Sequence, residues 1–163
     1  MVIKVGNKFP KSSLYLYKEG GMFPVFTNDI FENKNIVLFG MPGAFTPTCS
    51  TYHIPSIKDE IKNFKMKSID EVFCLVVNDI HVTKVWAEKN GAIDSGLKFI
   101  TDPAGNLVKK LGMYFNDPEI GFINRSKRFC IVLEKLNVTK IYLEKERGVC
   151  DITSGKNILK HLD

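Results

Sequence analysis

Three short runs of apolar residues in this sequence lack the polar alternation of a half-exposed strand. They are IVLFGM at 36–41, EVFCLVVN at 71–78 and RFCIVLE at 128–134. A strand that is apolar on both faces must be covered by other elements on both sides, as in an α/β sheet. The sequence therefore predicts a central sheet that lies between layers of helix.

Helical patterns alternate with these strands along the chain. Two more strands are predicted at 97–101 and 138–144, the latter following a hairpin turn at Asn137 and Val138. Because strands and helices alternate and a hairpin precedes the last helix, we expect one α/β domain over 1–163 with a mixed sheet. The predicted helices are 46–64 with a kink at Pro55, 80–91 ending at Gly91, 106–113, and a last one that Ser154 opens.

The composition narrows the classes of partner. Lys and Arg number 23 against 18 Asp and Glu, which gives a net charge of +5. These charges are scattered rather than grouped with aromatic residues, so we expect no nucleic-acid partner. No apolar run reaches the ~18 residues of a membrane helix, and the first residues lack the apolar segment of a secretory signal. We expect a cytoplasmic protein, or one inside a reducing organelle if a transit peptide has been removed.

Four cysteines stand at 49, 74, 130 and 150, and no two of them have CxxC spacing. A chain of this size does not need disulfides, so free thiols in a reducing compartment are expected. The histidines at 53, 81 and 161 are distant from one another and from cysteines at metal-ligand spacing. We therefore predict no metal site and no cofactor.

The segment GMPGAFTPTCS at 40–50 joins a predicted strand to a predicted helix. Cys49 falls in the first turn of that helix, beyond the carboxyl end of a strand, where sites of α/β proteins lie. Free backbone N–H groups and the helix dipole there favour the thiolate, which is the reactive form of cysteine. The hydroxyl of Thr46 lies within reach, and His53 follows Cys49 by four residues on the same helix face.

Two neighbours shape the loop before Cys49. Pro42 stiffens the chain, and Gly43 lets the backbone turn and approach a ligand. Each residue also has an ordinary interpretation when it is taken alone. A cysteine is most often a small buried apolar residue, the Thr-Pro-Thr sequence is a common helix cap, and His53 could lie on the surface.

The segment PGAFTPTCS resembles the active-site signature of peroxiredoxins, Pro-x-x-x-Thr-x-x-Cys, and its surroundings resemble the peroxiredoxin 5, or type II, subfamily. The resemblance continues through CLVVND, VTKVWAEKN, the DPAG turn, RSKRF and NILKHL. It implies a thioredoxin-like fold and a thiol peroxidase that reduces hydrogen peroxide and alkyl hydroperoxides. Within it, Cys49 is the peroxidatic nucleophile that becomes a sulfenic acid.

The resemblance also implies roles for four other residues. Thr46 hydrogen-bonds the peroxide and the thiolate, Pro42 shields the pocket from water, Arg128 stabilises the thiolate and orients the peroxide, and His53 is a pocket residue. Arg125 and Lys127, beside Arg128, are expected to face solvent.

The route by which the sulfenic acid is reduced stays open. We favour a one-cysteine mechanism with glutathione or glutaredoxin as the reductant. The alternative route is a thioredoxin-dependent peroxidase in which Cys150 is the resolving cysteine, or Cys74, which is less accessible. Two other functions also stay open: a peroxide sensor that passes oxidation to a partner, and a binding module without catalysis. The segment 113–122 is expected to frame the site mouth or a dimer contact, and an ordinary surface loop is the alternative. Type II relatives form homodimers through surfaces near the active site, so we expect a homodimer.

Overall fold

The computed structural model describes residues 2–163, and a seven-stranded mixed sheet forms its centre. Its strands are β1 (Ser13–Lys18), β2 (Gly21–Phe26), β3 (Asn35–Gly40), β4 (Glu71–Val76), β5 (Leu97–Thr101), β8 (Phe129–Glu134) and β9 (Asn137–Leu143). They lie in the order β2-β1-β5-β4-β3-β8-β9, and a separate two-stranded sheet pairs β6 (Tyr114–Asp117) with β7 (Phe122–Ser126). The strands β3, β4 and β5 are parallel, and every other pairing is antiparallel.

Helices cover the sheet. They are α1 (Thr27–Phe31), α2 (Ile54–Lys58), α3 (Ile61–Met66), α4 (Ile80–Lys89), α5 (Asn106–Leu111) and α6 (Gly155–Lys160), with a π-helical turn at Cys49–His53 and a 3₁₀ turn at Pro118–Ile120. The central strand β3 is buried on both faces. Its Ile36 and Leu38 enter one apolar cluster, and Val37 and Phe39 enter the other. The predicted α/β architecture with a central mixed sheet is confirmed.

The five predicted strands are present, with bounds that differ by at most two residues. The hairpin between β8 and β9 was placed wrongly, because Glu134 pairs with Asn137 and the turn residues are Lys135 and Leu136. Both have positive φ, 48° and 70°, although neither is a residue type that favours this conformation.

Two hairpins were not predicted. Strand β2 contains Pro24, which argues against a central strand but is tolerated at the sheet edge where β2 lies. Strands β6 and β7 are short and flank the 3₁₀ turn at Pro118–Ile120, so the segment shows no clear period.

The single helix predicted over 46–64 is divided into several pieces. It begins at Pro47, passes through the π-helical turn, continues as α2, and breaks at Asp59 and Glu60 before α3. The N–H of Ile54 bonds to the oxygen of Cys49, five residues back, and Pro55 follows directly with no N–H to donate. The distortion therefore lies before Pro55 rather than at it. No Gly or Pro marks the second break.

No helix among residues 2–163 combines the length and the apolar character that crossing a membrane requires.

Candidate active site

Cys49 lies beyond the carboxyl end of β3, as the sequence predicted. After Gly40 the chain forms a loop whose Ala44 N–H donates to Oδ1 of Asn78 at 2.8 Å, and Phe45 takes a left-handed φ of 61°. Cys49 is then the third residue of the helical segment that begins at Pro47. Its thiol is fully buried. The first turn of the helix therefore holds the sulfur, with its free N–H groups nearby.

The guanidinium of Arg128 contacts this sulfur. Arg128 precedes β8, which pairs with β3, and the pairing of Gly40 with Phe129 brings it beside the loop that follows β3. Its Nη2 donates to Cys49 Sγ at 3.2 Å, and its Nη1 bonds to Nδ1 of His53 at 2.8 Å. Its Nε and Nη2 also donate to the carbonyl oxygen of Arg147, at 3.3 and 3.2 Å. The side chain is thus held from three directions.

His53 binds Nη1 of the Arg128 guanidinium. Its Nε2 lies 2.9 Å from the carbonyl oxygen of Thr153, which only accepts, so Nε2 carries the proton and Nδ1 accepts from Arg128. Burial, followed by the charge of Arg128, lowers the pKa of His53 to about 3, and the bond to Thr153 opposes this shift only in part. The imidazole is therefore neutral near pH 7.

No carboxylate in the described part of the chain pairs with the charge of Arg128. The side chain is 3% exposed, and no carboxylate lies within 4.0 Å of it among residues 2–163. A buried cation is costly unless it is paired, and its neighbours are carbonyl oxygens, a neutral imidazole and Cys49. Of these contacting groups only the sulfur ionises to an anion, so the arrangement favours the thiolate of Cys49.

Thr46 differs from its expected role in one respect. Its hydroxyl donates to the carbonyl oxygen of Gly43 at 2.8 Å. A hydroxyl has a single proton, so this one is not free for the thiolate, and no hydrogen bond joins Thr46 to Cys49 in the described chain. The lone pairs of Oγ1 remain available to accept a proton from a bound peroxide.

Gly43 serves a purpose other than the expected turn. It is not among the positive-φ glycines, but an added Cβ would collide with Nη1 of Arg125. That guanidinium donates to the carbonyl oxygen of Pro42 at 3.3 Å and stacks over Phe122 at 4.8 Å. The expectation that Arg125 faces solvent is therefore wrong, because it is half-buried against the loop of Pro42. Lys127 is exposed, as expected.

Two clefts meet at Pro42, Arg128 and Arg147. The smaller, of about 230 Å³, gives access from the Thr46 side. Its lining residues are Pro42, Thr46, Pro47, Thr48, Ile120, Phe122, Arg128, Arg147 and Gly148. Ile120 and Phe122, from the segment 113–122, line this cleft, as residues at the site mouth would.

The larger cleft, of about 450 Å³, opens on the other side of Arg128. Its lining combines apolar residues such as Phe115 and Leu143 with charged ones, among them Lys127, Lys145, Arg147 and Glu146. The guanidinium of Arg147 is itself paired with Asp117 at 2.7 Å. The cleft therefore offers groups of both signs next to the buried sulfur.

The other three thiols are free and buried, and they lie in different surroundings. Burial raises the pKa of Cys74 and of Cys130 well above the ordinary value. Burial likewise raises the pKa of Cys150 to about 11, with Arg128 opposing the shift. Cys74 contacts Met41 Sδ at 3.5 Å, and Cys150 lies 3.9 Å from Thr153 Oγ1. Near pH 7 these three are protonated and weakly nucleophilic.

No group of three or more His, Cys, Asp or Glu side chains placed to hold a metal ion occurs between residues 2 and 163.

The sequence did not indicate the carbonyl groups of Arg147 and Thr153, because a backbone acceptor carries no side-chain signature. It also did not single out Glu144, whose buried carboxylate binds the segment that contains Thr153.

Comparisons with known proteins show the family of the chain. The family model described as Redoxin matches residues 4–159. Peroxiredoxin-2D of Arabidopsis thaliana is 35% identical over 161 residues, which cover 98% of each chain. Reduced Prx3 of Vibrio vulnificus in complex with H2O2 superposes with a TM-score of 0.91 at 28% identity, over 99% of this chain and 100% of that one. The Plasmodium falciparum antioxidant protein, a 1-Cys peroxiredoxin, gives 0.89 at 27% identity, over 98% of each.

A mixed sheet with a buried cysteine at the head of a helix and an arginine on its sulfur defines a thiol-dependent redox protein, and the chain belongs to the redoxin family. Within that family it is a peroxiredoxin with the thioredoxin-like fold, and the plant relatives named peroxiredoxin-2 agree with the type II subfamily. It is accordingly a peroxidase, an oxidoreductase that acts on peroxides.

Proposed function

We propose that Cys49 reduces hydrogen peroxide and alkyl hydroperoxides through a sulfenic acid, and that an external thiol completes the cycle. The observation that carries the proposal is the 3.2 Å contact between Arg128 Nη2 and Cys49 Sγ in a buried site where no carboxylate of residues 2–163 lies within 4.0 Å of the guanidinium. Thr46, Pro42 and Gly43 belong to the peroxide-binding loop, and His53 holds Arg128.

In the first step the thiolate attacks the terminal oxygen of the peroxide and displaces the other oxygen. The S–O bond forms as the O–O bond breaks, so sulfur is oxidised to the sulfenic acid and the leaving oxygen takes a proton as water or alcohol. Negative charge moves from sulfur to that oxygen, and the Arg128 guanidinium is placed to follow it. Thr46 Oγ1, whose proton is held by Gly43, accepts from the peroxide hydroxyl.

In the second step a thiol of glutathione or of glutaredoxin condenses with the sulfenic acid, releasing water and leaving a mixed disulfide. A second thiol then frees Cys49. Glutathione carries two carboxylates and one ammonium, and the larger cleft presents Lys127, Lys145 and Arg147 with Glu146. The pKa of about 11 at Cys150 supports an external reductant over an internal resolver, because a protonated thiol attacks slowly.

The apolar wall formed by Ile120 and Phe122 suits the alkyl chain of an organic hydroperoxide.

We also propose that the protein forms a homodimer near this rim, because Phe45, Tyr52 and Ile123 are about half exposed. Light scattering in solution measures the molar mass, which should be twice that of one chain. The free thiols are consistent with work in a reducing compartment, the cytoplasm or an organelle interior.

Intact mass after one equivalent of peroxide, without added thiol, tests the proposed cycle. We expect a gain of one oxygen atom in the wild type and none in Cys49→Ser. Addition of glutathione should then convert the oxidised protein to a glutathione adduct. A loss of two hydrogens in place of the added oxygen would show an internal disulfide and would assign the resolving role to Cys150 or Cys74.

Steady-state turnover separates the peroxidase from the two other classes. A sensor would be oxidised once and would not consume further peroxide with glutathione, whereas a binding module would not be oxidised at all.

A further inference from the structure

Glu144 carries a carboxylate that the proposed chemistry does not use. It follows the last residue of β9, and its side chain is 7% exposed. One oxygen, Oε1, accepts three hydrogen bonds, from Asp151 N at 2.8 Å, Thr153 N at 2.8 Å and Thr153 Oγ1 at 3.0 Å. A carboxylate this deeply buried requires such donors, and all three belong to one short segment.

That segment, residues 147–153, supplies the acceptors that hold Arg128. The carbonyl oxygen of Arg147 receives Nε and Nη2 of Arg128, and the carbonyl oxygen of Thr153 receives Nε2 of His53. His53 then accepts Nη1 of Arg128. The position of the guanidinium on the sulfur of Cys49 therefore depends on where this segment lies.

Glu144 binds the segment at Thr153, the residue that contacts His53. Its carboxylate binds both the amide and the hydroxyl of Thr153, the residue whose carbonyl selects the Nε2–H tautomer of the imidazole. The backbone N–H of Glu144 also donates to the carbonyl oxygen of Arg128 at 3.0 Å. One residue is thus bonded to both ends of the arrangement that holds the guanidinium.

We infer that Glu144 is a positioning residue for peroxide reduction: through Thr153 and His53 it orients Arg128 toward Cys49. It makes no contact with the sulfur and no ion pair with Arg128 within 4.0 Å in the described chain. The inference rests on the proposed role of Arg128. What Glu144 supplies is an acceptor atom in a fixed place.

This role distinguishes two substitutions. Glu144→Gln keeps an oxygen acceptor and removes the charge, whereas Glu144→Ala removes the acceptor and leaves three buried donors unpaired. If Glu144 acts by position, Gln should retain the rate at which Cys49 reacts with H2O2. Ala should lower it by about tenfold to a hundredfold, because misplacement of a catalytic group by about 1 Å can cost a hundredfold in rate.

The test measures the rate of single-turnover oxidation of Cys49 by H2O2, with the fluorescence of Trp86 as the signal. Trp86 is placed to report this step because its Nε1 donates to Oγ of Ser50, the neighbour of Cys49, at 3.0 Å. Glu134→Ala, an exposed glutamate at the end of β8, is the matched control and should react like the wild type. An unchanged rate in Glu144→Ala, or equal losses in Glu144→Gln and Glu144→Ala, would overturn the inference.

A second readout separates positioning from general loss of stability. Nitrogen-15 NMR of the imidazoles, with His53→Gln to assign the signal, reports which ring nitrogen carries the proton. We expect the wild type and Glu144→Gln to show the single Nε2–H tautomer and Glu144→Ala to show a tautomer mixture. A folded Glu144→Ala protein with the pure Nε2–H signal would contradict the inference.

The same experiments keep this inference separate from the proposed function. Arg128→Ala must slow the oxidation of Cys49 if the proposed function is right. A slow Arg128→Ala with a fast Glu144→Ala would therefore reject the role of Glu144 alone.

Discussion

At the scale of single residues, the site is a network of hydrogen bonds centred on the guanidinium of Arg128. Arg128 donates to a carbonyl, to a neutral imidazole and to a sulfur. Since a guanidinium has no acceptor atoms and keeps its proton at any physiological pH, the sulfur completes the set best as an anion. Reactivity at Cys49 is thus tied to satisfying a buried cation.

Arg128→Ala should lower the rate constant of Cys49 with H2O2 by roughly a hundredfold to a thousandfold, the usual loss when a donor to developing charge is removed. Lys62→Ala, an exposed cation on α3, is the control and should leave the rate unchanged. Stopped-flow measurement without reductant isolates this step. A rate within about twofold of the wild type would remove Arg128 from the mechanism.

His53 should make the protein less stable as the pH falls. Its pKa of about 3 in the folded protein lies below the 6.5 of the unfolded chain, so between these values only the unfolded state gains the proton. The free energy of unfolding should then fall by ~1.4 kcal/mol per pH unit, or by ~2 kcal/mol from about pH 7 to about pH 5.

Urea unfolding at the two pH values measures this loss against His53→Gln, which lacks the titrating group and controls for all the others. The wild type should lose ~2 kcal/mol more than the variant over this range. Equal losses in the two proteins would mean that the imidazole titrates normally in the folded state.

At the scale of elements, the helical segment that carries Cys49 is supported by α6. Gly155, the first residue of α6, lies against α2, and its N–H donates to Ser56 Oγ at 3.2 Å. An added Cβ would meet Ile57 Cα at 2.8 Å and would also collide with the Ser56 carbonyl oxygen. Both atoms belong to the backbone, which cannot move aside as a flexible side chain can.

Gly155→Ala should therefore destabilise the protein by ~1–3 kcal/mol, the cost of overpacking. Gly148→Ala is the matched control, because its Cβ would meet nothing within 4 Å, and it should change stability by less than ~0.5 kcal/mol. Denaturant midpoints for the two variants measure the difference. Equal stability of both would show that α2 and α6 are not rigidly packed.

All the strands with a strong apolar pattern were predicted from the sequence. Strands β3, β4 and β8 are buried on both faces, so their residues could form little else. The π-helical turn at Cys49–His53 could not be predicted in the same way, because only Pro55 indicates a distortion and the turn forms before it. The left-handed pair Lys135 and Leu136 likewise carries no glycine to mark the hairpin.

At the scale of the whole molecule, the sheet brings together groups that are distant in the chain. Pairing of β3 with β8 sets Arg128 beside Cys49, and the segment after β9 returns to bind Arg128 through the carbonyl oxygen of Arg147. The signature around Cys49 could be recognised from local sequence and resemblance. The roles of Glu144, Thr153 and Arg125 could not, because they depend on contacts across 9 to 100 residues of sequence separation.

The central claim is that the Arg128 guanidinium holds the buried Cys49 sulfur as a thiolate near neutral pH. Ultraviolet thiolate absorbance, taken as the difference between the wild type and Cys49→Ser across the neutral range, measures it most directly. We predict that the wild type shows a thiolate signal at neutral pH that Cys49→Ser lacks. The same difference, taken between Arg128→Ala and the Arg128→Ala, Cys49→Ser double variant, should be much smaller. Identical spectra of the wild type and Cys49→Ser at neutral pH would contradict the account.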